Sequence, residues 1–214
     1  MAEARSNIYR FLSQVYQGPP SEEFVESVIK SDFLESLTDL LGYSTPESEK
    51  LRKYLTSRTP EELLDELTSE YNSLFEIPTS RYIKPYESVY LDTRELGGKE
   101  YSGLVMGPST IQVKDSYLSA GMELSDLIRD LPDHLAVELE FMAYLAEQEA
   151  KQLSDSIVEA DKFLVFQYQF LKNHLSRWVD MVCEAILDTT ENPFYEAAGT
   201  LTVEFVHDES DIEK

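Results

Sequence analysis

The sequence predicts an all-α protein, a bundle of about nine to eleven helices interrupted by one long ordered loop. Three observations predict it. Apolar residues recur at spacings of three and four along nearly the whole chain. Serine, threonine or asparagine followed by proline or glutamate stands at the head of several of these periodic stretches, as helix starts require. Strand-like alternation never persists long enough to compete.

Taken in order, Ile8, Phe11, Leu12 and Val15 form one face of a first helix, ended by Gly18-Pro19-Pro20. Ser21, with Glu22 and Glu23 in the first turn and Phe24 three residues on, starts a second. Phe33, Leu34, Leu37, Leu40 and Leu41 mark a third up to Gly42. Ser44-Thr45-Pro46 opens a fourth through Leu51, Tyr54 and Leu55. Thr59-Pro60-Glu61-Glu62 opens a fifth carrying Leu63, Leu67, Tyr71, Leu74 and Phe75. From Thr110 a helix runs through Ile111, Tyr117, Leu118, Met122, Leu127 and Ile128. The stretch Leu131 to Glu149 starts another, with Pro132 near its first turn and Asp133 as capping acceptor. Beyond Ser154-Asp155-Ser156, an apolar pattern from Phe163 through Phe166, Phe170, Leu171, Leu175, Trp178, Val179 and Val182 to Ile186 reads as a long core helix. Asn192-Pro193 begins the last, through Phe194, Tyr195, Leu201 and Phe205, and an acidic tail from Asp208 to Lys214 is expected to fray.

The helical pattern breaks between Ile77 and Gly107, where prolines and glycines punctuate a stretch holding Tyr82, Tyr86, Tyr90 and Tyr101. Four tyrosines argue for order, because each ring needs somewhere to pack. This loop divides the chain into an N-terminal part, 1–107, and a C-terminal part, 108–214, either as two cores or as one compact domain. Its tyrosines either pin the loop by hydrogen bonds or meet a ligand.

Composition narrows the function. The 18 basic and 41 acidic residues give a formal net charge of -23, which repels nucleic acid and anionic lipid and favours basic partners. A single cysteine, Cys183, in an apolar helical pattern allows no internal disulfide and fits a reducing compartment. No apolar run approaches the roughly 18 residues of a membrane span, so no stable membrane insertion is expected and the cytoplasm is the expected location. There is no phosphate-binding glycine loop, no dinucleotide fingerprint and no nucleophile constellation.

The chemistry that remains gathers at Leu131-Pro132-Asp133-His134. An acid and a histidine sit side by side at a helix N-terminus, where backbone amides are spare. Asp133 either caps the helix beside a surface His134, or the two offer a binding site. His134 and Glu138, four apart on one helical face, could with Asp133 hold a metal, which leaves open a metal-dependent enzyme or metal-binding protein. From Pro108 to Ala150 nine acids stand against two bases. That is a field for cations, and equally fits an acidic helical adaptor for a basic partner.

Together, Glu70-Tyr71-Asn72-Ser73-Leu74-Phe75, the loop Pro85-Tyr86-Glu87-Ser88-Val89-Tyr90, Leu131-Pro132-Asp133-His134-Leu135 leading into Glu138-Leu139-Glu140-Phe141-Met142, and Phe170-Leu171 with His174-Leu175 and Trp178 resemble the TorD/DmsD/NarJ family of redox-enzyme maturation chaperones. The order and spacing agree from the first helix to about Phe205. The resemblance implies a TorD-like helical fold, no catalysis and no cofactor of its own. It also implies a partner: the precursor of a molybdenum- or tungsten-pterin oxidoreductase, bound through its twin-arginine signal peptide until the cofactor is inserted, which delays export. By the same resemblance Leu131, Pro132, Asp133 and His134 contribute to the signal-peptide surface, Tyr86, Glu87, Ser88 and Tyr90 line the same region, and the carboxylates of Asp133, Glu138 or Glu87 meet the arginines. The loop lacks the tryptophan of some members, so the client need not be a dimethyl sulfoxide or trimethylamine N-oxide reductase. Some relatives exchange domains between protomers, which admits a monomer or a domain-swapped dimer hinged after Ile77 or near Ser109.

Overall fold

Local sequence chemistry starts the helices largely where the spacing predicts them. In the computed structural model of the protein, which describes residues 2–30, 35–36, 45–122, 130–153 and 156–211, helix α1 spans Ala2–Gln17, α2 Glu22–Val28, α3 Pro46–Thr56 and α4 Pro60–Tyr71. Ser21 Oγ accepts from Phe24 N at 3.1 Å and Thr45 Oγ1 from Ser48 N at 3.2 Å. Thr59 and Glu62 form a reciprocal capping box, at 3.2 and 2.9 Å. Each such cap is worth about 1 kcal/mol against alanine. Of the expected third helix only Glu35 and Ser36 fall among the described residues, both helical; Phe33, Leu34, Leu37, Leu40 and Leu41 lie outside them. The α4 path continues beyond Tyr71 as a π-helical turn, Asn72–Glu76, which carries Leu74 and Phe75 inward.

The 77–107 stretch is ordered but is not merely a loop. It contains a five-residue helix, α5 (Glu87–Leu91), and a hairpin of β1 (Thr93–Leu96) and β2 (Lys99–Ser102), antiparallel with Leu96 opposite Lys99. Gly97 and Gly98 make its two-residue turn at φ 60° and 77°, a conformation cheap only for glycine. Helix α6 then runs Pro108–Ser119, two residues earlier than expected, and stops at a glycine. Gly121, at φ 78°, ends it in a Schellman motif: Met122 N bonds Tyr117 O at 2.9 Å and Gly121 N bonds Leu118 O at 3.0 Å. The expected continuation through Leu127 and Ile128 falls outside the described residues.

Helix α7, Leu135–Gln152, is buried on almost every side, whereas α8, Ile157–Asn173, is not the core helix its apolar pattern suggested. Ile157, Val158, Leu164 and Val165 of α8 are exposed, and the helix does not run on to Ile186. It breaks at His174, whose φ of -127° and ψ of -94° are not helical. A 3₁₀ turn, Leu175–Arg177, and α9, Val179–Thr189, follow. The last helix, α10, spans Pro193–Asp211, so Asp208 to Asp211 close a helix rather than fray, and residues 212–214 are not described.

Two units share these elements. One comprises 1–17, 84–181 and 206–214, the other 18–83 and 182–205, so the units interleave along the chain and do not divide at residue 107. In the first, α7 packs against α1 and α8. The α1 face differs from the apolar expectation: Ile8 and Phe11 are only half-buried, while Ser6, Tyr9, Ser13 and Tyr16 are buried. The two serines are small enough to let the helices close, and their hydroxyls donate to α7 carbonyls, Ser6 Oγ to Ala143 O at 2.9 Å and Ser13 Oγ to Ala136 O at 2.8 Å. Arg5 bridges Glu149 and Glu209 at 2.5 and 3.2 Å. In the second unit, Leu51, Leu55, Leu63, Leu67, Ile186 and Tyr195 are buried, and Arg81 and Thr190 both bond Glu70. Cys183 is a buried free thiol.

Candidate peptide-binding site

Two chain segments of the first unit, Pro85–Tyr90 and Leu131–Glu138, are stitched together through their backbones. Glu87 N donates to Asp133 O and Leu135 N to Pro85 O, both at 2.9 Å, so Tyr86 and His134 form a single antiparallel bridge. The arrangement sets the N-termini of α5 and α7 beside each other, and each needs acceptors for its first amides.

The caps are not where the sequence put them. His134, not Asp133, caps α7: its Nδ1 accepts from Ala136 N at 3.1 Å. A ring nitrogen that accepts carries no proton, so the proton of neutral His134 sits on Nε2, facing Asp130 Oδ2 at 3.7 Å. Burial favours that neutral form by lowering the His134 pKa below its ordinary value, against the raising influence of Asp130 and Asp133. Asp133 instead caps the other helix, its Oδ2 accepting from Ser88 N at 3.0 Å. A five-residue helix has too few internal bonds to hold itself, so α5 depends on this acid.

A second borrowed cap lies at the far end of α5. Asp92 accepts from Ser109 N at 3.0 Å and from Ser109 Oγ at 2.8 Å, in the first turn of α6. Gly107 lies so close that a Cβ there would stand 1.9 Å from Asp92 Oδ2.

Beneath the bridge is a polar interior. Glu87, Ser88, Asp133 and Glu138 are fully buried and His134 and His174 nearly so. His174 Nδ1 lies 2.9 Å from Glu87 Oε2 and its Nε2 3.1 Å from Ser116 Oγ, which explains why α8 stops there. Trp178 Nε1 donates to Glu138 Oε2 at 3.2 Å, and Tyr117 Oη to Pro132 O at 2.7 Å. Burial, then the Glu87 charge, pushes the Glu138 carboxyl well above the usual range. Tyr117 is likewise raised by burial and by Glu138, Asp133 and Glu87.

The surface of the site is aromatic. Tyr86, Tyr90, Leu131 and Pro132 are half-buried and Asp130 is exposed. Tyr86 Oη donates to Asp130 Oδ1 at 2.9 Å, its ring meets the His134 ring edge to face at 5.0 Å, and Tyr90 stacks on Trp178 at 5.7 Å.

The structure thus brings together all nine residues singled out in the sequence, Tyr86, Glu87, Ser88, Tyr90, Leu131, Pro132, Asp133, His134 and Glu138, but corrects the accessibility of five. Asp133, His134, Glu138, Glu87 and Ser88 lie inside, because the amides of two helix starts and the indole N–H draw them there. The geometry of the described residues gives the metal reading no support. His134 Nδ1 is committed to a backbone amide and Asp133 to α5, and among the described residues no group of three or more His, Cys, Asp or Glu could hold a metal ion. Sequence reasoning missed Asp130, Asp92, Ser116 and Tyr117. Asp92 bonds Ser109, 17 residues further along the chain, and nothing local marked it or Ser116.

Among the described residues no helix is long and apolar enough to cross a membrane. The sequence is 27% identical over 208 residues to the chaperone protein TorD of Shewanella sp. strain ANA-3, covering 95% of this chain and 90% of that one. It is 25% identical over 207 residues to TorD of a Vibrio cholerae O1 classical strain, covering 95% and 89%. A crystal structure described as that of a candidate redox enzyme maturation protein from Archaeoglobus fulgidus superposes with a TM-score of 0.50, at 18% identity, over 98% of this chain and 94% of that one, which supports the helical fold. The family model described as nitrate reductase delta subunit matches residues 42–184, and on that match, two thirds of its length, the chain belongs to this TorD/NarJ family.

Proposed function

We propose that the protein is a maturation chaperone for an oxidoreductase and that it binds the twin-arginine signal peptide of a molybdenum- or tungsten-pterin enzyme precursor at the Tyr86–Tyr90 and Leu131–His134 edge. Its relatives are named chaperones rather than enzymes, which supports the first half. One observation carries the second: two half-exposed tyrosines and an exposed carboxylate, Asp130, stand on a rigid frame of buried polar bonds.

Tyr86, Tyr90, Leu131 and Pro132 give the apolar part of the peptide an amphipathic surface at low entropic cost, as tyrosine-rich recognition surfaces do. Asp130 gives a guanidinium a partner that is already oriented by Tyr86. Asp133, His134, Glu87, Ser88 and Glu138 position these groups rather than meet the peptide. The chaperone acts in the cytoplasm, before export, on a chain that still carries its signal.

The test is titration of a synthetic signal peptide into the full-length protein by calorimetry. Tyr86→Ala and Asp130→Asn each weaken binding by about tenfold, the loss expected of an interface anchor near 1.4 kcal/mol. A Lys-Lys peptide binds more weakly than Arg-Arg, because ammonium lacks the planar fork. Equal affinity of both variants and both peptides removes this surface from the interaction.

A further inference from the structure

Helix α8 is apolar on two faces. On one, Ala160, Phe170 and Leu171 are buried. On the other, Ile157 is 69% exposed, Val158 68%, Leu164 42% and Val165 52%. At 3.6 residues per turn these four fall on one stripe, which Asp161, Tyr168 and Lys172 share. Single apolar side chains are ordinary on a protein surface, but a helix that is apolar on both sides is normally covered on both. Beside Leu164 and Val165 lies a pocket of about 180 Å³, which Tyr168, Leu171 and Arg5 also line.

Charge identifies what covers the stripe. The chain carries a net charge of -23, so two copies repel over most of their surfaces. Helix α8 is neutral, with Glu159 and Asp161 against Lys162 and Lys172. Glu159 and Lys162 pair with each other at 2.6 Å on the flank of the helix. The stripe itself is left with one acid in its first half, Asp161, and one base in its last turn, Lys172, whose Nζ lies 3.3 Å from Tyr168 Oη. Such a face is complementary to itself when turned end for end. It does not suit a basic peptide, which would be drawn to Asp161 and repelled by Lys172.

The geometry points to a second copy of this chain as the partner of the α8 stripe, joined by antiparallel packing of α8 on α8 about a two-fold axis near Leu164 and Val165. The contact uses none of the residues at the Tyr86–Tyr90 and Leu131–His134 edge and does not depend on the peptide reading.

The register follows from the spacing. Setting Leu164 of one copy against Val165 of the other sets Asp161 against Tyr168 and Ile157 against Lys172, and the two-fold axis repeats each contact. The Asp161 carboxylate then meets the Tyr168 hydroxyl and the ammonium that Tyr168 holds, while the Lys172 methylenes cover Ile157. Leu164 has the pocket beside Val165 of the other copy to enter. A helix of 17 residues is about 25 Å long, so the contact belongs with small interfaces, and dissociation in the micromolar range is expected.

The experiment is sedimentation of the full-length protein from about 1 to about 500 μM, spanning that range. Wild type rises from the mass of one chain toward twice that mass. Val165→Glu, at an exposed position that leaves the circular dichroism unchanged, stays a single chain throughout. Asp161→Lys and Lys172→Glu each weaken association by about tenfold, because each sets like charges together, and the double variant recovers wild-type behaviour. Wild type that remains a single chain at every concentration overturns the proposal; a neutral leucine-rich peptide that then binds, and is lost in Val165→Glu, gives the stripe to an apolar segment of another protein. A dimer that persists in Val165→Glu belongs to a different interface and overturns it equally. A double variant no better than the single ones overturns the antiparallel pairing.

Discussion

At the scale of single residues, the site is organised by acids that serve a helix other than their own. Asp133 and Asp92 cap α5 and α6 from outside, and each leaves a testable mark. Asp133→Asn keeps a carbonyl oxygen for Ser88 N, so it costs little, whereas Asp133→Ala removes the cap and lowers stability by about 1 to 2 kcal/mol in denaturant unfolding. Gly107→Ala forces a Cβ into the Asp92 carboxylate and breaks both bonds to Ser109. A loss of about 2 kcal/mol or more is expected, within the range for overpacked sites, and an unfolding midpoint equal to wild type would show that Asp92 can move aside. These roles were hidden in the sequence because a cap is recognised by the helix that follows it, and Asp133 stands ahead of α7 while bonding α5. His134 was visible as a polar residue at a helix start; that its ring nitrogen, rather than the neighbouring carboxylate, takes the amide depends on the Tyr86 bridge, a contact 48 residues away in the chain.

At the scale of elements, local signals were legible and interruptions were not. The capping box at Thr59 and Glu62, the Thr45-Pro46 start and the Asn192-Pro193 start each rest on groups within three residues, and each stands where the spacing predicts it. The break of α8 at His174 escaped because the apolar spacing continues through it; what stops the helix is a pair of tertiary hydrogen bonds to Glu87 and Ser116. The hairpin did leave a local signal. Gly97-Gly98 between Thr93–Leu96 and Lys99–Ser102 is a two-residue turn signal, but strands of four residues are too short for alternation to stand out. Gly97→Val places a branched side chain at φ 60° and should unpair the hairpin at a cost of about 1 to 2 kcal/mol to that element. Faster amide exchange in 93–102, with exchange in α7 unchanged, is the expected readout. A serine-lined α1–α7 contact likewise leaves no trace in apolar spacing.

At the scale of the whole molecule, the net charge of -23 sets the terms on which a basic segment is met. Signal-peptide affinity should fall as salt rises from about 0.05 to about 0.5 M, mainly through slower association, because the long-range part of the attraction is screened beyond about 10 Å near 0.1 M. Affinity independent of salt would mean that the apolar surface of Tyr86, Tyr90 and Leu131 carries recognition alone. The helical class was legible because periodicity is a local property; the interleaving of the two units was not, since it depends on which distant segments pack together. The measurement that bears most directly on the central claim is capture of the tagged full-length protein from cells of its own source, under conditions where oxidoreductases are expressed, with bound proteins identified by mass spectrometry and Tyr86→Ala/Asp130→Asn as the control. The account predicts an oxidoreductase precursor still carrying its arginine pair, lost from the control. Recovery of only mature enzyme without its signal, or equal recovery by the control, would contradict it.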